Sequence, residues 1–308
     1  MIESNTPQRH QIRGALFLGT VLALATTFLW APTGRAQNND CTVHDRQRGE
    51  CSVGTDAPSQ QKLMNAIQSA GPTKFMATLE YGERVECDAC VVPLMKRILS
   101  DDNPQVREFA AWWIRRRPFH VGYVMKEMRT VLADDKDPVR RARAAEAIGE
   151  FLDPKGVAHL ADALAEDGDA PVRAAAAAAL GRLNHPTSHA LLAEALDDKD
   201  STVRLAALRA VRRVNFFEEY EALIGTLADG DEAVRREGAL LSGQYRVKSA
   251  VPALAGLLRS DGDSSVRRAA AWALGRVGGE DAGEALREVR DSETDKTVQD
   301  AIAVALKM

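Results

Sequence analysis

The sequence predicts an all-α protein, an α-α superhelix built as a solenoid of about six to seven stacked helix pairs. Three observations carry this prediction. One motif returns every 31–33 residues, each period contains two amphipathic segments of helical length, and this part of the chain lacks the alternating pattern of β-strands. Self-similarity at a period of about 20–50 residues is typical of repeat arrays, and it outweighs local propensity.

The repeated motif centres on a Val-Arg or Val-Gln pair. An Asp or Asn stands three residues before the valine in six of the seven copies, and an apolar residue follows eight residues after it in most of them. The valines are Val106, Val139, Val172, Val203, Val234, Val266 and Val298.

Each period reads as two helices. In "DGDSSVRRAAAWALGRVGG", Asp263 is a suitable N-cap, and Val266, Ala270 and Leu274 fall on one apolar stripe. The six consecutive alanines of residues 174–179 favour a helix but have little side chain to bury. Such a helix is stable only when neighbouring helices pack closely on it, so the repeats are expected to stack.

The pattern D-x-x-V-R-x-x-A-A-x-x-L-G resembles the HEAT repeat, in the short form found in phycobilisome lyases and bacterial scaffold proteins, over residues 86–308. The resemblance implies a right-handed solenoid with an Asp–Arg ladder between neighbouring units. It also implies that the ladder loosens at Arg140 and stops at Gln299. The expected pairs are Asp169 with Arg173, Asp200 with Arg204, Asp231 with Arg235 and Asp263 with Arg267.

The N-terminus indicates export. Arg9, His10 and Arg13 precede an uncharged apolar run at residues 14–31, and Ala36 ends a plausible cleavage site. We therefore predict a cleaved signal peptide at residues 1–36 and a periplasmic or secreted protein. The alternative is an uncleaved membrane anchor, for which the run is near the lower limit of length.

Three further segments follow the predicted signal peptide. Residues 37–60 are polar and read as irregular, residues 61–85 read as capping helices, and residues 86–308 form the repeat array. The net charge of −4 is mild and both signs are mixed along the chain. This composition is not that of a nucleic-acid-binding protein. We expect a monomer that has no membrane contact after cleavage.

The four cysteines are disulfide candidates, because the count is even in a chain predicted to be exported. They are Cys41, Cys51, Cys87 and Cys90. Three pairings remain open. Cys87 and Cys90 stand at a predicted helix N-terminus, where thiolates are stabilised, so a redox-active pair is an alternative, and a zinc site is a weaker one.

The sequence offers no catalytic constellation. It has no Gly-rich phosphate loop, no G-x-S-x-G, and none of the His-Glu dipeptides with which some HEAT-type enzymes bind iron. We therefore predict a non-catalytic protein without cofactor or metal.

Side chains at the sixth position after the repeat valine form the candidate partner-binding row. Trp112, Arg209, Leu240 and Trp272 occupy this position, and we expect them to point away from the core. Arg115, Arg116 and Arg117 follow Trp112 and can stack on indole rings. The alternative is that both tryptophans pack against adjacent helices.

These features favour an exported scaffold that binds another protein. The alternatives are a thiol–disulfide protein that uses Cys87 and Cys90, or a lyase-like accessory of a cofactor-bearing protein.

Overall fold

The computed structural model describes residues 59–308, and in this range it contains sixteen α-helices and no β-strand. The first eight are α1 Gln60–Ser69, α2 Pro72–Tyr81, α3 Asp88–Ser100, α4 Pro104–Arg115, α5 Pro118–Asp134, α6 Pro138–Glu150, α7 Val157–Glu166 and α8 Ala170–Leu183. The others are α9 Ser188–Ala195, α10 Ser201–Val211, α11 Tyr220–Gly225, α12 Glu232–Gln244, α13 Val251–Ser260, α14 Ser264–Val277, α15 Glu280–Arg290 and α16 Lys296–Ala305.

The helices form two layers. The repeat motif lies on the even-numbered helices α4 to α16, which stack side by side and which we call the inner helices. The odd-numbered helices α3 to α15 form the second layer, the outer helices, and each packs against the inner helix that follows it. Helices α1 and α2 continue both layers at the N-terminal end, since α1 packs on α3 and α2 packs on α4. The predicted all-α superhelical fold is confirmed.

The inner helices begin where the motif predicts. The N-cap of all seven is Asp or Asn, and six of these side chains accept a hydrogen bond from an amide in the first turn. Such a bond satisfies an amide that has no partner inside the helix. The exception is Asp169, which binds Arg141 of the preceding repeat instead.

The second repeat is displaced by one residue from its expected register. Its N-cap is Asp137, so the core position of the motif falls on Arg140, and Val139 is 51% exposed. Ile148 is fully buried at the position that Leu180 occupies in the next repeat. When positions are counted from the N-cap rather than from the valine, all seven copies of the motif therefore align.

Neighbouring inner helices touch backbone to backbone near their C-terminal ends. A Cβ atom on Gly181 would lie 2.7 Å from the Cα of Ala210, and one on Gly275 would lie 2.7 Å from the Cα of Ala305. The outer helices meet each other over much less of their length. Closer spacing in one layer curves the stack toward that layer, so the inner helices line the concave face.

The alanines of α8 follow from this spacing. Ala179 packs on Gly149 of the preceding inner helix, and Ala176 and Ala177 are fully buried, so a longer side chain at these positions would force the helices apart. The core volume comes from larger residues on both sides, such as Leu160, Leu180 and Val203, all fully buried.

Candidate protein-binding surface

The candidate row lies on the concave face, nine residues after each N-cap. Trp112, Leu240 and Trp272 are half-buried, and Arg209 is exposed. Because the inner helices are parallel and in register, these side chains form one line across the stack. The row is continued by Glu146 in the second repeat, Ala178 in the third and Val304 in the last.

Trp112 is part of a small aromatic and cationic cluster. Its ring centroid is 4.7 Å from that of Phe109, and the Arg116 guanidinium lies 4.6 Å from the Trp112 ring centroid. Arg116 also binds Glu83 at 3.0 Å. An indole fixed in this way presents a rigid, partly desolvated surface at low entropic cost to a partner.

Trp272 occupies the equivalent place near the other end of the array. The Arg276 guanidinium lies 5.9 Å from its ring centroid, one helical turn further on. Its indole also lies over Gly243, the inner-helix glycine of the preceding repeat, which has no side chain to occupy this space. The sequence leaves open whether the tryptophans point away from the core or pack against adjacent helices. In the structure each one packs on the array and also keeps part of its surface exposed.

The three arginines after Trp112 do not act together. Arg117 stacks on an indole, but on that of the buried Trp113, so it is not a surface cation. Its side chain is buried against Trp113, and it donates to the carbonyl oxygens of Trp113, Glu83 and Val85 at 2.6–2.8 Å. Burial lowers the pKa of Arg117 to about 10, against the opposing effect of Glu86 and Glu83. Arg115 and Arg116 remain on the surface.

A ladder of ion pairs joins the inner helices, but the expected partners need correction. Arg173 binds both carboxylate oxygens of Asp198 at 2.7 and 2.9 Å, and Arg204 binds both of Asp229. These acceptors stand two residues before the N-cap of the next repeat. The remaining pairs are Arg141–Asp167, Arg235–Asp261 and Arg267–Glu293.

The motif aspartates cap their own helices instead of pairing with the arginine four residues on. Asp200, Asp231 and Asp263 each accept amides of their own helix, which orients their carboxylates away from the arginine four residues on. Asp169 does pair across repeats, with Arg141 at 2.9 Å. The acceptors were visible in the sequence as a second acid in "DGD", "DKD" and "ETD", two residues before each motif aspartate.

The ladder is interrupted between the first and second repeats, because Arg107 binds Glu146 there and Asp135 is bound by Arg140 of its own repeat. It is continuous from the second repeat onward. The one-residue displacement moves the ladder arginine of the second repeat from Arg140 to Arg141, which binds Asp167. At the last repeat Gln299 has no guanidinium, but its amide donates to the Glu293 carbonyl at 2.7 Å. This replaces the bond that each ladder arginine makes to a carbonyl six residues before it.

The ladder carboxylates are held in their ionised form. Burial acts to raise the pKa of Asp198, but the Arg173 hydrogen bonds and the Asp200 amide outweigh it, and the pKa lies below its ordinary value. The same balance lowers the pKa values of Asp167, Asp229 and Asp261. On the arginine side, the bond to Asp198 raises the pKa of Arg173.

A cavity of about 310 Å³ opens on the concave face above α8. Its floor is made of alanines, among them Ala175 and Ala178, and its walls carry Arg107, Arg143 and Glu146. Arg107 binds Glu146 at 3.4 Å and Arg143 binds Asp102 at 3.0 Å, so both arginines have acidic partners. The cavity lies on the line of the candidate row, where α8 has no long side chain.

The structure places Cys87 at the N-cap of α3 and Cys90 in its first turn, with their sulfur atoms 2.05 Å apart. Both residues are buried. Cys41 and Cys51 lie outside the described residues, so the pairing of all four cysteines stays a prediction.

Within residues 59–308 there is no group of three His, Cys, Asp or Glu side chains that could hold a metal ion. In the same range, none of the helices combines the length and hydrophobicity of a membrane span.

Four overlapping segments of the chain match the model of HEAT repeats, at residues 91–181, 125–212, 157–242 and 220–307. No curated protein matches the sequence. The fold is similar to that of the YIBA protein of Escherichia coli, with 19% identity, a TM-score of 0.55, and coverage of 89% of this chain and 99% of that one.

Two other solved structures are similar. A chain in the structure of Kap95p with RanGDP has 15% identity and a TM-score of 0.56, over 80% of this chain and 38% of that one. The complex of CpcE and CpcF of phycocyanin lyase from Nostoc sp. PCC7120 has 20% identity and a TM-score of 0.40, over 70% and 93%. At these identities the likeness concerns the fold alone. The matched segments cover most of the repeat array, and the chain belongs to the family of HEAT-repeat proteins.

Proposed function

We propose that this HEAT-repeat chain is an exported, non-catalytic scaffold that binds another protein along the concave row. The observation that carries the proposal is the placement of Trp112 and Trp272, half-exposed and each stacked by an arginine, on one line with Arg209 and Leu240. Tryptophan and arginine are enriched among residues that dominate protein interfaces.

The row suits an extended partner better than a small ligand. It crosses consecutive inner helices, and adjacent packed helices are about 8–10 Å apart, so its ends are separated by several such steps. Two charged members, Glu146 and Arg209, stand among its apolar ones. The alanine-floored cavity over α8 has room for a protruding side chain between the two tryptophans.

The thiol–disulfide alternative gains no support from the geometry. Cys87 and Cys90 are 1% and 0% exposed, whereas exchange requires an attacking thiolate to reach one of the sulfurs. The lyase-like alternative has no residues in its favour within the described part of the chain. Neither is proposed.

Photo-crosslinking tests the proposal by position. A photoreactive amino acid at Arg209 on the concave row should capture a defined partner from an envelope extract. The same amino acid at Lys126, exposed on the outer helix α5, is the matched control and should capture nothing specific. Equal capture at both positions, or capture only at Lys126, would contradict the assignment of the face.

Two substitutions test the anchors once a partner is captured. Trp112→Ala and Trp272→Ala should each weaken its binding by about 1–3 kcal/mol. Trp112→Phe and Trp272→Phe keep the packing on Phe109 and Gly243 and separate lost stability from lost contact. Loss of thermal stability with unchanged affinity would show that the tryptophans serve the fold only.

Export needs its own measurement. The mass of the chain recovered from outside the cytoplasm should correspond to a start at Gln37 or within a few residues of it. Recovery of the chain with Met1 in a membrane fraction would favour the retained anchor.

A further inference from the structure

A second surface with unusual chemistry lies along the turns that follow the inner helices. These turns lie on one side of the array, because the inner helices are parallel, and direct bonds connect them. Arg115 donates to the Glu150 carbonyl at 2.6 Å, and the Asn215 amide donates to Asn184 Oδ1 at 2.9 Å. We call this side the C-terminal edge; it comprises residues 115–119, 151–156, 184–187, 212–219, 245–250, 276–279 and 306–308.

Large apolar side chains protrude from this edge. Phe119 is 96% exposed, Phe216 is 86% exposed and Leu152 is 60% exposed, each in a different turn. Isolated exposed apolar residues are common on soluble proteins, but side chains that extend this far from separate turns of one edge are not explained by packing.

The backbone makes two of these residues costly for the fold. Leu152 has a φ of 52° and Phe216 a φ of 58°, in the left-handed region that favours glycine and asparagine. At the equivalent position Asn184 at 46° and Gly278 at 71° are suited to this conformation, and Arg246 adopts it at 54°. Leu152 and Phe216 thus stand where both the conformation and the solvent disfavour them, which points to a role outside the fold.

Unpaired cations accompany the apolar residues and continue along the edge into the last three repeats. Arg115 and Arg212 on this edge, and Arg182 just before it, are neutralised by Glu150 or Glu237. Six other exposed cations have no acidic partner within 4 Å in the described part of the chain, namely Lys155, Arg213, Arg246, Lys248, Arg276 and Lys307. Exposed side-chain carboxylates on these turns are confined to Glu218 and Glu219.

We propose that the C-terminal edge docks on an anionic lipid bilayer. A protein partner would be expected to meet a contiguous apolar centre with a polar rim. Here the exposed apolar side chains are isolated from one another, and unpaired cations lie beside them and along the rest of the edge. A bilayer interface accepts that arrangement, because it offers negative headgroups at every point and hydrocarbon just below them.

This surface differs from the concave row and departs from our sequence-based expectation of a chain without membrane contact. Phe216 and Leu152 would enter the headgroup region, while Arg213, Arg246 and Lys248 bind lipid phosphates. The attraction is electrostatic in large part, so it weakens as salt screens the headgroups.

Fluorescence quenching tests the position of the edge in the full chain. Phe216→Trp adds an indole to the edge, and Lys199→Trp adds one to the opposite edge as the matched control. Vesicles of phosphatidylglycerol and brominated phosphatidylcholine should quench the emission added at position 216 and leave that at position 199 unchanged. Vesicles of brominated phosphatidylcholine alone, or high salt, should abolish the effect. This readout is specific to the position even if the apolar N-terminal run itself binds lipid.

Charge reversal gives a second test in the same Phe216→Trp background. Arg213→Glu with Arg246→Glu should remove the quenching while the thermal unfolding midpoint stays unchanged. Absence of quenching at position 216, equal quenching at position 199, or indifference to the charge reversal would each overturn the proposal. Binding of poly-glutamate to the edge without any response to vesicles would assign it to an acidic protein instead.

Discussion

The two edges of the inner layer hold neighbouring repeats together in different ways. At the N-terminal edge, arginines such as Arg173 bind carboxylates such as Asp198 across the gap between helices. Next to the C-terminal edge the backbones themselves touch, with Gly181 against Ala210 and Gly275 against Ala305. Close packing therefore adds to the ion pairs of Arg115, Arg182 and Arg212 at this end, whereas the N-terminal edge is joined by the ladder.

The difference explains where the chain can vary its surface. The ladder occupies the arginines and acids of the N-terminal edge, so that their charges are already satisfied. Close backbone packing needs only small residues, and the turns beyond it are left free to carry Phe216, Leu152 and unpaired cations. An array of this kind can keep one edge for stability and the other for contacts.

Lowering the pH affects all ladder pairs at once and should give the largest decrease in stability. The pKa values of Asp167, Asp198, Asp229, Asp261 and Glu293 are lowered in the folded chain. Their stabilisation is complete above the ordinary pKa values of 3.8 and 4.5 and is lost as the pH falls through the lower folded values. Urea midpoints should be flat near neutral pH and fall steeply below about pH 4.

The capping aspartates Asp200, Asp263 and Asp295 also have lowered pKa values and act in the same direction. The variant Asp198→Asn separates the two sets, because it removes one ladder acid and keeps every cap. Its urea midpoint should fall less with acid than that of the unchanged chain. An identical fall would assign the acid response to the caps.

Loss of a single ladder pair should give the next largest effect, a decrease in the free energy of unfolding. Asp198→Ala leaves the buried Arg173 without its partner and should lower the free energy of unfolding by about 3 kcal/mol. Asp200→Ala removes only a cap and should cost about 1 kcal/mol. Urea unfolding of both variants checks the order. A larger loss for Asp200→Ala would restore the pairing first expected from the motif.

The contact between adjacent inner-helix backbones should be sensitive to side-chain size. Gly181→Ala places a methyl group against the Ala210 backbone and should cost about 1–3 kcal/mol, despite the better helix propensity of alanine. The control is Gly256→Ala on the outer helix α13, where the new methyl meets open space and should gain up to about 1 kcal/mol. Thermal unfolding of both chains checks the sign, and equal signs would contradict the close approach.

The smallest effect concerns the left-handed turn residues. Leu152→Asn should stabilise the fold by about 1 kcal/mol, because asparagine tolerates this conformation and hydrates well. The reverse change, Asn184→Leu, should cost about 1–2 kcal/mol. This variant also removes the hydrogen bond from the Asn215 amide, so its cost is an upper limit for the effect of the left-handed backbone conformation alone. Calorimetric melts that show Leu152→Asn to be destabilising would mean that Leu152 is a packing residue.

The candidate site was predicted in part. The row at Trp112 and Trp272 follows from helical periodicity, because an inner helix repeats its surface pattern from one copy to the next. The sequence could not predict that Arg116 stacks on Trp112 whereas Arg117 is buried. This difference depends on the helix ending at Arg115 and on the carbonyl oxygens of Glu83 and Val85 lying within reach.

The architecture follows from the sequence alone, since a period of 31–33 residues with capped amphipathic helices has a stable solution only as a stack. The ladder partners, in contrast, depend on the folded arrangement of the repeats. A motif fixes which residues recur, whereas pairing depends on where side chains of adjacent repeats meet. A capping carboxylate is already directed at its own helix, so the arginine binds the acid two residues earlier. The register of the second repeat was decided in the same way, by the cap at Asp137 rather than by the position of Val139.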